Sequence, residues 1–190
     1  VRYNMDLISL KGRNALGKQF FVPFQTENQT VDYNVTYRAY SSIDIVATED
    51  NTKINVTVPH PIWVKDIGSR PAGTYSIWLN AGETAIIPPY RNLGDANGPA
   101  YQTTYSPGLR LAGSYVEVDQ TEGSGGDIAV ITHDDIVKSQ HSGNPDYVID
   151  QLVPIDHIGT DYAVIQGVGF DATEIEDWAF IVGTQPNTRS

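Results

Sequence analysis

Apolar and polar positions alternate most cleanly over residues 43–58, where Ile43, Ile45 and Ala47, then Ile54, Val56 and Val58, are separated by polar side chains. Period-two alternation marks strands with one buried and one wet face. Between the two runs, Glu49, Asp50, Asn51 and Thr52 bring side chains that bond local backbone and tolerate turn geometry. The stretch predicts a β-hairpin.

The same pattern recurs along the chain. Met5 to Leu10, Lys18 to Phe24 and a looser run from Val31 to Tyr40 predict strands before the hairpin. Pro23 places the end of the second near an edge or bulge. After it come Ile62-Trp63-Val64, a turn at Arg70 to Gly73, strands at residues 74–79 and 84–87, and a turn between them at Asn80 to Glu83. Further strands are predicted at residues 114–119, 127–132, 147–154 and 158–165, with a turn at residues 121–126 and a polar stretch at residues 133–146. Helical period is absent except for a weak start at residues 171–178. Short strands at regular intervals predict an all-β, mostly antiparallel sandwich of jelly-roll or Ig-like type, with about eight to ten strands.

Residues 88–110 break the pattern. Loops of roughly 20 residues without regular structure are uncommon in compact domains and tend to carry function. This one holds Tyr90, Arg91, Tyr101, Tyr105 and Arg110, residue types favoured at binding hot spots. They form the candidate binding loop. The same tyrosines would also serve simply to pin the loop to the sandwich.

Charge narrows the partners. Against 12 Lys and Arg stand 23 Asp and Glu, a formal net charge of -11. Nucleic acid and anionic membranes both require electropositive surface, so neither is an expected partner. With no cysteine there is no disulfide framework and no thiolate metal site. No apolar run is long enough for membrane insertion, and the start at Val1 carries no signal peptide. The chain is therefore expected to be an interior piece of a longer, processed protein.

Two internal echoes bear on domain organisation. Leu16 to Val22 resembles Ile158 to Val164, and Ile45 to Thr52 resembles Ile181 to Thr188, in the same order and offset by roughly 140 residues. A β-sandwich unit over residues 1–154 is expected. Residues 155–190 would either start a second similar unit or add strands that complete the first. Propeller-like or tandem β units are the fold alternative.

Taken together, Ile45 to Thr52, Leu111-Ala112-Gly113-Ser114, Ile128-Ala129-Val130, and Asp150 to Pro154 followed by Gly159 and Tyr162 carry a family resemblance. Over about residues 15–188 the chain resembles the N-terminal domain family of IgG-Fc-binding proteins and its relatives in large bacterial, Bacteroidota-like surface proteins. Animal members carry cysteines before the position of Asp150, and this chain has none. That favours a bacterial member, and the 88–110 loop is longer than the family pattern leads one to expect. The resemblance implies an extracellular or cell-surface all-β module of an adhesion, gliding or matrix protein. Antibody binding does not follow from it, because fold-level analogy is not a site argument.

The remaining chemistry is sparse. His133, Asp134 and Asp135, with His141 and Asp146 nearby, form the densest group of metal-ligand types; the carboxylates would suit calcium and the imidazoles zinc or nickel, and no EF-hand or His-Glu-x-x-His spacing accompanies them. Ordinary turn chemistry accounts for the same residues, and no other cofactor is implied. Ser114, His133 and Asp134 supply the letters of a catalytic triad without a nucleophile-elbow motif, and no local signature selects a carboxylate pair. The chain is not expected to be an enzyme.

Trp63, Trp78 and Trp178 are the residues a carbohydrate-binding module would use for stacking. Trp78 alternates with Ile77 and Leu79, which puts it on the opposite sheet face from them, so both faces would be covered, and core or sheet-packing roles are the commoner ones for tryptophan. The expected function is a non-catalytic module of an extracellular or cell-surface bacterial protein, acting in adhesion or as a structural unit. Its partners would be a protein or glycan ligand on a surface or matrix and neighbouring domains of the same polypeptide. A carbohydrate-binding module is the alternative.

Overall fold

The computed structural model describes residues 7–23, 41–64, 68–88, 111–137 and 146–159. Eleven strands lie among them: β1 (Leu7–Ser9), β2 (Gln19–Val22), β3 (Ser41–Ala47), β4 (Thr52–Val58), β5 (Ile62–Val64), β6 (Gly68–Arg70), β7 (Gly73–Leu79), β8 (Thr84–Ile87), β9 (Ser114–Gly123), β10 (Ile128–Val137) and β11 (Asp146–Gln151). Short 3₁₀ turns occupy Gly12–Ala15 and Ile155–His157.

One sheet, sheet A, has the order β1-β11-β10-β3-β8; sheet B has the order β2-β9-β4-β7, and β5 with β6 makes a separate ribbon. All pairings are antiparallel except that of β1 with β11. Alternate residues of the two sheets meet in a single core. Ile43, Ile45, Ile128 and Val130 come from sheet A, and Phe20, Ile54, Val56 and Val116 from sheet B; all are essentially fully buried. Each such buried apolar side chain contributes about 1.5–3 kcal/mol, so the alternation specifies the register strongly.

This is the all-β sandwich expected. With β11 set aside, sheet A reads β1-β10-β3-β8 opposite β2-β9-β4-β7, the interleaved order of a jelly roll rather than an Ig-like fold. Two facing sheets also exclude a propeller for the described residues. Residues 160–190, which hold most of the internal echo and the weak helix start, lie outside the described residues, as does the strand expected from Val31 to Tyr40.

The hairpin expected at residues 43–58 is a correction. β3 pairs with β10 and β8 in sheet A, whereas β4 pairs with β7 and β9 in sheet B, so the turn between them is an arch that crosses the sandwich. Alternation reports which face is buried and is the same for strands paired side by side and strands facing across a core. The polar stretch expected from His133 also differs. β10 continues to Val137 because β3 and β11 pair its backbone on both sides as far as Asp134 and β11 pairs it again at Val137, past a register shift, which overrides its polar composition. Similarly, β9 runs on to Gly123, into the turn expected at residues 121–126, and β6 extends the ribbon to Arg70.

The chain changes sheets at the same end of the sandwich four times, from β1 to β2, β3 to β4, β7 to β8 and β9 to β10. The crossings bond one another. Ala47 N–H donates to Glu83 O at 3.3 Å, Gly82 N–H to Ala47 O at 2.9 Å, Thr48 N–H to Asp127 O at 3.2 Å and Ser124 N–H to Asn51 O at 2.9 Å. Gly17 and Ile128 exchange two bonds of 3.1 and 2.9 Å. Buried Thr52 donates its hydroxyl to Glu49 O at 2.8 Å and meets Ser124 Oγ at 3.0 Å.

Gly123 shows how close these crossings come. It has φ +82°, and a Cβ there would strike Asn51 O and lie 3.1 Å from Trp78 Cζ3; Gly82 has φ +78° but open space around it. Gly82→Ala is expected to cost about 1 kcal/mol from backbone strain alone, and Gly123→Ala about 2 kcal/mol or more. Urea denaturation of both variants decides the matter: equal losses would mean that the crossing is not sterically tight.

Candidate functional site

The outer face of sheet B is built by the residues that alternate with its core positions. Along β4 these are Lys53, Asn55 and Thr57, which stand opposite Trp78, Ser76 and Thr74 of β7. Ser76 donates to Asn55 Oδ1 at 2.6 Å, and the hydroxyls of Thr57 and Thr74 lie 2.8 Å apart. On the other side of β4, Asn55 faces Glu117 and Thr57 faces Tyr115 of β9, which in turn faces Phe21 of β2. The rings of Phe21 and Tyr115 are tilted by 45° with centroids 5.0 Å apart. Burial, and next the Glu117 carboxylate beside it, hold the Tyr115 phenol above its usual range.

At the crossing end of this face Trp78 is 49% exposed. Its ring is held rather than loose. The Lys53 ammonium sits 5.8 Å from the ring centroid, and the edge of the ring lies against Gly123, where no side chain intervenes. Lys53 is itself fixed by Glu122 at 2.9 Å and Asp119 at 3.0 Å. The hydrogen bonds to Glu122 and then to Asp119 raise its pKa. Asp119 accepts from the Thr121 hydroxyl at 2.6 Å and from Thr121 N–H at 2.9 Å. Those two bonds, followed by that from Lys53, hold its carboxyl far below the usual carboxylate range. The result is an aromatic platform of fixed orientation beside rows of hydroxyl, amide and carboxylate groups.

The acidic turn residues have local work. Asp50 Oδ1 accepts from Ala81 N–H at 3.0 Å, and Glu83 Oε2 from Asn80 N–H at 2.7 Å. Tyr90, Arg91, Tyr101, Tyr105 and Arg110, the expected binding loop, lie outside the described residues. Ile87, at the end of β8, and Ser114, at the start of β9, lie at the end of the sandwich away from the crossings.

His133, Asp134 and Asp135 fall on β10. The side chains of Asp134 and Asp135 are outside the described residues, as are Trp178 and His141 and the side chains of Trp63 and Asp146. Among the described residues no group of three or more His, Asp or Glu could hold a metal ion. The His133 ring is on the outer face of sheet A, with Nδ1 3.4 Å from Ser42 Oγ; Ser42 donates to Asp44 Oδ1 at 3.2 Å. Burial raises the pKa of Asp44, partly offset by Ser42 and His133.

The paper triad does not assemble. Ser114 belongs to sheet B, where it donates to Leu111 O at 2.6 Å, while His133 belongs to sheet A. Ser42 is no substitute: it is 3% exposed and its proton goes to Asp44 instead of to the histidine. Alternation separates Trp78 from Ile77 and Leu79 but does not show which face is exposed, and sequence reasoning missed Lys53, Asp119 and Glu122 as its setting. The alternation of β4 against β7 was the available signal for Lys53; Asp119 and Glu122 depend on the pairing of β9 with β4.

A family model described as IgGFc binding protein matches residues 8–190. No curated protein matches the chain, and no solved structure does. Among the described residues no helix is long and apolar enough to cross a membrane.

The Asp119 pair carries a pH signature. Its folded pKa is below its unfolded value, so its stabilisation is full at neutral pH and fades as pH falls through and below about 4. Asp119→Asn is expected to be less stable than the parent at about pH 7, with the gap narrowing towards about pH 3. Chemical denaturation across that range measures it, and a gap independent of pH would remove the assigned cause.

Proposed function

Because the chain belongs to the IgGFc-binding protein family, we propose that it is a non-catalytic binding module of an extracellular or surface-attached bacterial protein, acting in adhesion or as a structural unit of a long surface protein. The observation that carries the reading is the outer face of sheet B, where half-exposed Trp78 is held by Lys53 at the crossing end and the paired rings of Phe21 and Tyr115 lie toward the opposite end. Rigid aromatic area of this kind gives binding energy at little entropic cost, and tryptophan and tyrosine are enriched among hot spots. A protein partner is the first reading. The acidic balance of the chain favours a partner surface that carries basic groups.

A second reading is a glycan ligand, favoured by the hydrogen-bonding rows of Asn55, Ser76, Thr57 and Thr74 alongside Trp78. A sugar ring stacked on the indole would find hydroxyl and amide partners on the neighbouring strand. The polar residues already bond one another, so a sugar would have to compete with them.

The full chain should be tested by biolayer interferometry against IgG Fc fragment and a panel of soluble extracellular-matrix proteins, and in parallel on a glycan array. Binding to at least one protein probe is expected, weakened roughly thirtyfold by Trp78→Ala with Tyr115→Ala while the melting temperature is held. Glycan hits lost in the same variant would establish the second reading. Protein binding untouched by the double substitution would move the contact off this face, and absence of binding to every probe would overturn the module reading.

A further inference from the structure

Strands β1 and β11 lie side by side and run parallel, with Leu7 opposite Val148, Ile8 opposite Ile149 and Ser9 opposite Asp150. Both run toward the crossing end of the sandwich. The chain therefore enters β1 at one end of the molecule and leaves β11 at the other. A pull on the chain before Leu7 and on the chain after Gln151 slides the two strands past each other along their length. In that shear geometry the bonds across the pair are strained together, whereas strands pulled from a common end open one bond at a time.

Past the end of β1 the same two strands are locked again. Gln151, almost fully buried, accepts from Lys11 N–H at 2.7 Å and Gly12 N–H at 2.9 Å through Oε1, and donates from Nε2 to Gly12 O at 3.1 Å. The Lys11 ammonium adds bonds to the Asp150 carboxylate and the Gln151 carbonyl. Beyond β11 the chain stays docked. Leu152 N–H donates to Val130 O at 2.8 Å, Pro154 fills the space over Gly17, and His157 Nδ1 lies 3.1 Å from Asn14 O. Charge-assisted and buried hydrogen bonds are the strong ones, and here they sit where sliding would begin.

We propose that the β1–β11 pair, closed by Lys11 and Gln151, is a mechanical clamp through which the sandwich withstands tension applied between the start of β1 and the chain that follows β11. The clamp uses sheet A and neither Trp78 nor its surroundings, so it stands or falls separately from the binding face on sheet B.

The chain contains no cysteine, so pairs of attachment points for single-molecule pulling can be introduced at will. Asp6→Cys with Gly159→Cys loads the clamp in shear. Pro59→Cys with Ala72→Cys pulls β4 and β7 apart from a common end. The first pair is expected to rupture at the higher force. At one fixed force, Lys11→Ala with Gln151→Ala should speed unfolding of the first pair about tenfold and leave the second within about twofold. Should the double variant fail to fold, Lys11→Met, which keeps the aliphatic stem, takes its place with the same expected selectivity. Equal rupture forces for the two attachment pairs, or equal acceleration of both by the substitutions, would overturn the clamp.

Discussion

A backbone amide that leaves one sheet must find an acceptor before the chain joins the other, because buried unpaired amides cost about as much as a lost hydrogen bond. This protein meets that constraint by bringing its crossings to one end and letting them satisfy each other. Ala47 gives its N–H to the β7–β8 crossing and takes a bond from it, and Thr48 and Asn51 bond the β9–β10 crossing. Gly17, on the path from β1 to β2, bonds Ile128 at the start of β10. The close approach this requires explains Gly123, where any side chain would displace Asn51 or Trp78. The two sheets are thereby fixed relative to each other by backbone as well as by the core between them.

Much of the surface chemistry is a consequence of that arrangement. Asp50 and Glu83 bond amides within the crossings, so part of the acidic charge is spent on local structure. Asp119 is held down in pKa by Thr121 just before β9 ends, which keeps it charged against Lys53. Lys53 in turn lies over Trp78, whose edge rests on Gly123. The exposed tryptophan is thus set against the same end of the sandwich that joins the sheets.

The alternation over residues 43–58 made the buried faces of β3 and β4 legible in the sequence, since burial depends on period alone. Their pairing was not legible. An arch and a hairpin bury the same alternate residues, and the choice between them is made by β10, β8, β7 and β9, far away in the sequence. For the same reason His133 to Val137 read as a polar loop, although β3 pairs β10 as far as Asp134 and β11 pairs it again at Val137. The family match over residues 8–190 agrees with the resemblance seen in short motifs, several of which map to the crossings or beside them. Ile45 to Thr52 forms one crossing, Ile128 to Val130 leads out of another, and the run from Asp150 to Pro154 packs against Gly17. The alternation of β7 separates Trp78 from Ile77 and Leu79 but does not say which face is exposed, because both faces carry large apolar side chains. Asp119 and Glu122 reach Lys53 only through the pairing of β9 with β4.

The division of labour between the sheets follows from where β1 begins and β11 ends. β1 and β11 sit together at one edge of sheet A, so tension between the flanking chain segments runs along that edge. Sheet B is joined to it through the core and the crossings, and its outer face belongs to β2, β9, β4 and β7, none of which leads directly to a chain end. A module that both transmits force and recognises a partner gains from such a separation. The proposed clamp can be strained without first distorting the strands that orient Lys53 and Trp78, so a ligand contact on sheet B would persist until the clamp itself gives way.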